Sequence, residues 1–283
     1  MEIMEGLHFM RTIFILMDSF NRHMIKIYNE NAWVKTPNIE RLAQKSIVFN
    51  NHWLGSAPCM PARRDIMTGR LNFLERKWGP VEPYDITLPE LLQQNNIFTH
   101  IVTDHHHYFE IGGDGYCQAF DTWDFIRGQE YDRYGSRVNK PELPSNYYGI
   151  VDEQYELNRE KFKLESDFPT PKTFAHACDW LEENKDAKDF FLWVETFDPH
   201  EPFDCPDKYL SMYEDDYKGP HYNWSGYAPV KEPNSATDHL RRQYAGTMTM
   251  ADCWLGKLLD TLERYDMFND TMIILTTDHG HLL

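Results

Sequence analysis

The chain has 283 residues, of which 45 are acidic and 28 are basic, so its formal net charge is −17. This charge argues against nucleic acid and anionic membranes as partners, and any anion site needs local arginines or a bound cation. Five cysteines without a CxxC pair indicate neither a disulfide framework nor a zinc ribbon. The sequence shows no signal peptide or membrane span, which leaves the compartment open between the cytoplasm and an exported location.

The first third of the chain alternates between strand and helix patterns. Residues 11–17, RTIFILM, form a continuous apolar run before Asp18, which is typical of a buried parallel strand. Thr36 and Pro37 fit the N-cap and the first position of a helix, and SIVFNNHW, residues 46–53, is expected to return as a strand. Further along, helices are predicted over 62–69 and 87–95, followed by a strand that leads from 98 to the histidines of 104–107.

The rest of the chain contains two long irregular stretches. Residues 125–172 are rich in Tyr, Glu, Asn and Pro, and they are expected to form a surface insert that serves as a lid or binds substrate. A second irregular insert is predicted over 201–235. The regular patterns here are a helix over 170–185, a buried strand within 189–200, a long helix over 239–268 and a strand that starts at 271.

Four of the predicted strands end in ionisable side chains. These are Asp18, the 104–107 cluster, Asp198 with His200, and Asp278 with His279. The alternation of strands and helices predicts one α/β domain over 1–283, with a mostly parallel central sheet and helices on both faces. Because ligands of such sheets bind beyond the carboxyl ends of the strands, we expect these groups to meet at one edge.

Two sets of residues at this edge suggest chemistry. Asp18, Asp278 and His279 are candidate ligands of a divalent cation, since carboxylates favour Ca²⁺, Mg²⁺ or Mn²⁺ and an imidazole leaves Mn²⁺ or Zn²⁺ open. The alternative is that Asp-His-Gly is only a strand-to-turn junction, with a positive φ at Gly280. His200, in FDPHEPF, is a candidate general acid, and the alternative is a histidine in a surface loop.

A lone cysteine, Cys59, lies among three arginines in SAPCMPARRDIMTGR, residues 56–70. Neighbouring positive charge lowers the pKa of a thiol and favours its reactive thiolate form, so Cys59 is a candidate nucleophile. The alternative is a small, buried apolar residue, which is common for single cysteines.

The segment CMPAR followed by TGR resembles the type I sulfatase signature, C-x-P-x-R followed by T-G-R. Other segments are similar to that family in the same order, namely ILMDS, TPNIERLAQKSIVF, FDPHEPF and ILTTDHGHLL. The resemblance runs through nearly the whole chain and implies the fold of the alkaline phosphatase-like superfamily. The chain stops soon after its last predicted strand, so the family's C-terminal subdomain is expected to be missing.

The resemblance also implies roles for individual residues. Cys59, oxidised to formylglycine by a maturation enzyme, would attack the sulfur of a sulfate ester, and Arg63 would stabilise the formylglycine. His200 would bind sulfate or protonate the leaving oxygen, and His106 matches the histidine of the family's K-x-H element. The cation, most often Ca²⁺ in this family with Mg²⁺ or Mn²⁺ as alternatives, would be held by Asp18, Ser19, Asp278 and His279.

Two positions depart from the family pattern. Ser19 stands where many sulfatases have a second aspartate, and Asp104 stands where the K-x-H element has its lysine. Three functions are therefore kept open: a hydrolase of sulfated carbohydrates or aryl sulfates, a phosphonate monoester or phosphodiester hydrolase of the same superfamily, and a truncated, non-catalytic anion-binding domain.

Overall fold

A computed structural model of the chain describes residues 11–74 and 76–281. The domain predicted over 1–283 therefore includes residues 1–10, 75, 282 and 283, which lie outside the described residues. The strands are β1 Arg11–Met17, β2 Phe98–Thr103, β3 Thr122–Phe125, β4 Phe190–Thr196 and β5 Thr271–Thr276. The α-helices are α1 Pro37–Ala43, α2 Cys59–Thr68, α3 Leu88–Gln93, α4 Glu153–Arg159, α5 Pro169–Glu183, α6 Asp207–Leu210 and α7 Asn234–Arg264.

The five strands form one sheet in the order β3-β2-β4-β1-β5, and every neighbouring pair is parallel. Side chains alternate between the two faces of each strand, so β1 contributes to two apolar cores. Ile13 and Ile15 pack on the face covered by α5 and α7, whereas Phe14 and Leu16 pack on the opposite face with Met60 of α2. The predicted parallel sheet with helices on both faces is confirmed.

The strand predicted over 46–53 is wrong. These residues form turns and irregular backbone, and Ile47, Phe49 and Trp53 are 83%, 66% and 84% exposed. Their β-branched and aromatic side chains favour a strand, but this preference takes effect only when a neighbouring strand pairs with the segment. Nothing in the described part of the chain does so. Strand β3, with only four residues at the edge of the sheet, was not predicted.

The two predicted inserts are largely irregular, but they contact each other and reach the interior. Residues 125–172 include α4 and the start of α5, and residues 201–235 include α6. The backbone NH groups of Tyr148 and Ile150 donate to carbonyls of His221 and Trp224, which joins the two inserts. Each insert also places a buried carboxylate, Glu130 or Glu201, close to His200. Among the described helices, none combines the length and apolar character needed to cross a bilayer.

Helix α1 begins where the sequence predicts, but its capping acceptor comes from α7. Thr36 is the N-cap residue and Pro37 follows it, yet the Thr36 side chain makes no capping hydrogen bond. The Asp252 carboxylate accepts instead from the backbone NH groups of Asn38, at 3.1 Å, and Ile39, at 2.8 Å. A residue more than 200 positions away thus satisfies the free NH groups of the first turn.

Asp252→Ala is expected to lower the free energy of unfolding by about 2–4 kcal/mol, because it leaves the backbone NH groups of Asn38 and Ile39 without their acceptor. Thr36→Ala, the matched control, removes a hydroxyl without a partner and should cost less than about 1 kcal/mol. Chemical denaturation of both variants measures the difference. Equal losses, or a larger loss for Thr36→Ala, would contradict the assignment of the cap to Asp252.

Candidate functional site

The carboxyl ends of three adjacent strands position the ionisable groups of the site. Asp18 follows β1, Glu195 lies near the end of β4, and Asp278 follows β5 by two residues. Since these strands are parallel neighbours, all three carboxylates lie at the same edge of the sheet. The first residue of α2, Cys59, faces this edge.

Cys59 lies directly against the predicted cation ligands. Its Sγ atom is 3.3 Å from Nε2 of His279 and 3.9 Å from Oδ1 of Asp18. Nε2 of His279 is also 3.4 Å from Oδ2 of Asp278. One ligand atom from each of these four residues lies within 4.8 Å of the others. The structure thus brings together four residues that are as much as 261 positions apart, while their roles stay predictions.

Ser19, the predicted weak ligand, is held in place by several hydrogen bonds. Its hydroxyl donates to Oδ1 of Asp18 at 2.8 Å, and its backbone NH donates to Oδ1 of Asp278 at 3.0 Å. The Ser19 carbonyl accepts a hydrogen bond from the Tyr244 hydroxyl at 2.7 Å. Its φ of 58° lies in the left-handed region, which is costly for a residue other than glycine. These hydrogen bonds stabilise that conformation and keep the hydroxyl at the site.

Arg63 is fully buried and pairs with three carboxylates. Its guanidinium donates to Oδ2 of Asp18 at 2.8 Å, to Oδ2 of Asp278 at 2.5 Å and to Oε1 of Glu195 at 2.5 Å. Burial alone would lower the pKa of Arg63, but the three carboxylates raise it well above its usual value. The enclosed guanidinium of Arg63 therefore orients the carboxylates of Asp18 and Asp278 toward Cys59. Sequence analysis missed Glu195, although it is the only charged residue within the buried strand FFLWVET.

His200 is buried, and acidic groups surround it. Its Nδ1 atom is 2.8 Å from the carbonyl oxygen of Glu201, which places the proton on Nδ1 and leaves Nε2 for other partners. Nδ1 is also 3.8 Å from Oε1 of Glu130. Burial lowers the pKa of His200, but Glu201, Asp18 and Cys59 outweigh it and raise the pKa well above its usual value. A protonated imidazole at this position can bind an anion or donate a proton.

His106 is placed differently from the other predicted site residues. In the part of the chain that the structure describes, no hydrogen bond or ion pair joins it to Cys59. Its Nε2 atom faces Oε2 of Glu130 at 3.6 Å, and burial lowers its pKa to about 2. Asp104, which stands in place of the lysine, accepts from the backbone NH of Phe197 at 2.6 Å and so ties two strand ends together.

The donors around Cys59 fit a divalent cation. Two buried carboxylates, a hydroxyl and an imidazole converge there, which is the donor set that Ca²⁺, Mg²⁺ or Mn²⁺ accepts. Burial and the nearby charge of Asp18 raise the pKa of Asp278, although Arg63 opposes this change. Arg63 supplies one positive charge to three carboxylates, so the charge of the site is compatible with a bound divalent cation.

A match to a protein-family model identifies the family of this chain. The family model described as Sulfatase matches residues 11–283, nearly the whole chain. This chain belongs to the sulfatase family. The family predicted from the sequence, within the alkaline phosphatase-like superfamily, is confirmed.

Relatives of this sulfatase-family chain include the multifunctional alkaline phosphatase superfamily protein PehA of Trinickia caryophylli, 25% identical over 316 residues. Another is the choline-sulfatase of Rhizobium meliloti (strain 1021), 24% identical over 305 residues. The alignments cover 93% and 96% of this chain but only 61% and 57% of those proteins. This chain therefore spans about three fifths of the length of these relatives.

A solved structure supports the fold independently. The phosphonate monoester hydrolase of Agrobacterium radiobacter superposes with a TM-score of 0.73 at 19% sequence identity. The superposition covers 95% of this chain and 62% of that chain. At this level of sequence identity the comparison establishes the shared fold and does not identify a substrate.

Proposed function

We propose that this sulfatase-family chain hydrolyses sulfate esters of carbohydrates or aryl alcohols, with residue 59 as the nucleophile. The observation that carries the proposal is the position of Cys59, with its Sγ atom 3.3 Å from His279 Nε2 and 3.9 Å from Asp18 Oδ1. A nucleophile placed among cation ligands suits displacement at an anionic sulfate ester, whose oxygens gain negative charge in the transition state.

Residue 59 is proposed to react as formylglycine, formed from cysteine by a maturation enzyme. One hydroxyl of the hydrated aldehyde would attack sulfur while the S–O bond to the alcohol breaks. Deprotonation of the second hydroxyl would then expel sulfate and regenerate the aldehyde. Because Cys59 is the first residue of the ten-residue helix α2, the reacting atom lies at the N-terminal end of that helix. The partial positive charge of a helix N-terminus favours bound sulfate oxygens.

The proposed cation site consists of Asp18, Ser19, Asp278 and His279, with Ca²⁺ expected and Mg²⁺ or Mn²⁺ as alternatives. When bound, a divalent cation supplies positive charge next to the sulfate oxygens. The guanidinium of Arg63 would hold Asp18 and Asp278 in place, and its positive charge offsets part of their negative charge. The positive charges of the cation and of Arg63 would favour binding of an anionic substrate by a protein whose net charge is −17.

His200 is proposed to protonate the leaving alcohol, since the buried carboxylate of Glu201, 3.5 Å from its Nδ1 atom, favours the protonated imidazole. We expect His200→Ala to lower kcat/KM by about 10²–10⁴-fold for alkyl sulfates, whose leaving groups are poor, and by much less for nitrophenyl sulfate. A series of aryl and alkyl sulfates with graded leaving-group pKa measures this difference. Equal losses across the series would instead assign His200 to sulfate binding.

His106 stays a prediction for the K-x-H role. Its position supports an indirect contribution, because Glu130 lies between it and His200, 3.6 Å from His106 and 3.8 Å from His200. The sulfate contact that a lysine would provide is not replaced by Asp104, which is buried and engaged with the backbone.

Phosphonate monoester or phosphodiester hydrolysis is the second candidate function. It is favoured by the fold shared with the Agrobacterium radiobacter phosphonate monoester hydrolase and by the single aspartate at the end of β1. Parallel assays on nitrophenyl sulfate and phenyl phosphonate monoesters, with the same protein preparation, rank the two activities by kcat/KM. A preference for the phosphonate ester would overturn the sulfatase proposal.

Peptide mass mapping tests the nucleophile independently of the substrate. The peptide that contains residue 59 should be about 18 Da lighter than the cysteine form after co-expression with a maturation enzyme. Complete modification together with a bound cation but no turnover on either ester class would favour the third alternative, a non-catalytic anion-binding domain.

A further inference from the structure

A second cluster of metal-ligating side chains lies beside His200. It consists of His106 and His107, in the short turn after β2, and Glu130, in the first insert. One ligand atom from each of the three lies within 4.8 Å of the others, and all three residues are buried. None of them belongs to the site around Cys59, so the cluster needs an explanation of its own.

The spacing of the ligand atoms matches a tetrahedral metal centre. Oε2 of Glu130 is 3.6 Å from Nε2 of His106 and 3.3 Å from Nε2 of His107. Bonds of about 2.1 Å to a tetrahedral zinc ion place neighbouring ligand atoms about 3.4 Å apart. These three ligand atoms are therefore close enough to bind one ion together.

Two polar atoms of the cluster lack a hydrogen-bond partner among the described residues. They are the two ring nitrogens of His106, a residue that is only 2% exposed. Oε2 of Glu130 has longer contacts, at 3.3 Å to Nε2 of His107 and 3.6 Å to Nε2 of His106. Leaving a buried polar atom unpaired costs about 1–3 kcal/mol, so such atoms are rare without a ligand. Oε2 of Glu110 lies 2.8 Å from Nδ1 of His107, which directs Nε2 of that ring toward Glu130. A carboxylate behind a histidine is the usual support of a metal-binding imidazole.

We propose that His106, His107 and Glu130 bind a second divalent cation, with zinc favoured by the two imidazoles and one carboxylate. The competing explanation is a proton on His107 that holds Glu110 and Glu130 together, but it leaves both nitrogens of His106 without a partner. The other oxygen of Glu130 is 3.8 Å from Nδ1 of His200, so the cation would also fix the position of His200. This inference does not depend on which ester the protein hydrolyses.

The test counts metals in the full chain after loading with Zn²⁺ and exhaustive dialysis, by elemental analysis. We expect Glu130→Gln and His107→Asn each to lose one equivalent of zinc, with affinity at least about 10-fold weaker. His176→Gln is the matched control, since that histidine pairs with Asp124 at a half-exposed position outside both sites. Asp278→Asn, which alters the other site, should keep this equivalent.

Cobalt substitution provides a spectroscopic readout of the same site, beginning with the wild-type protein. Co²⁺ bound by two imidazoles and a carboxylate gives visible absorption bands, which should appear in the wild type and in Asp278→Asn. Full zinc content in both Glu130→Gln and His107→Asn would overturn the proposal. So would the loss of all zinc and cobalt binding in an Asp278→Asn protein that circular dichroism shows to be folded, because that result leaves a single site around Cys59.

Discussion

Replacing Cys59 by alanine is expected to lower the turnover of sulfate esters by at least about 10⁴-fold, since the variant has no side chain that can become formylglycine. Cys59 is buried but belongs to neither of the two apolar cores, so the folded structure should persist. Steady-state assays with nitrophenyl sulfate, together with a circular dichroism melt, measure both effects.

Cys253→Ser provides the control for Cys59→Ala. Cys253 is another free cysteine, which lies within α7 and outside the site, so its replacement should leave turnover unchanged. Turnover of Cys59→Ala at the wild-type level would reject residue 59 as the nucleophile. Cys59→Ser should behave like the alanine variant unless the maturation enzyme of the host accepts serine.

Asp278→Asn is expected to remove one equivalent of bound cation and to lower turnover by about 10³-fold, because it takes one of two carboxylates from the proposed cation site. It also breaks a buried ion pair with Arg63, so a loss of stability of about 3–5 kcal/mol is expected. Elemental analysis and assays on the same preparation, supported by chemical denaturation, separate loss of the cation from loss of the fold.

Asp270→Asn is the matched control for this variant. Asp270 pairs with Arg11 at the opposite end of the sheet, with a side chain that is 59% exposed, so its loss should cost less than about 1 kcal/mol and no cation. An Asp278→Asn protein that keeps every equivalent of metal found in the wild type would contradict the proposed ligand set.

Local sequence patterns were sufficient for most of the architecture. The run of apolar residues within 11–17 predicts a strand that is buried on both faces, and the carboxylate of Asp18 marks its end. Both β1 and the position of Asp18 were therefore predictable. The periodic apolar residues of 239–268 likewise predicted most of α7. The same patterns failed at 46–53, where strand propensity has no partner strand to act on.

Motifs and periodicity in the chain were enough to predict the family, the parallel sheet and the candidate residues Cys59, Asp18, Asp278 and His279. The folded chain was needed to show that Glu195 shares Arg63 with two aspartates, that Asp252 caps α1, and that Glu130 lies between His106 and His200. This difference arises because motifs and periodicity depend on residues that are neighbours in the chain. The partner of a buried charge, by contrast, is chosen by packing between segments that can lie more than 200 residues apart.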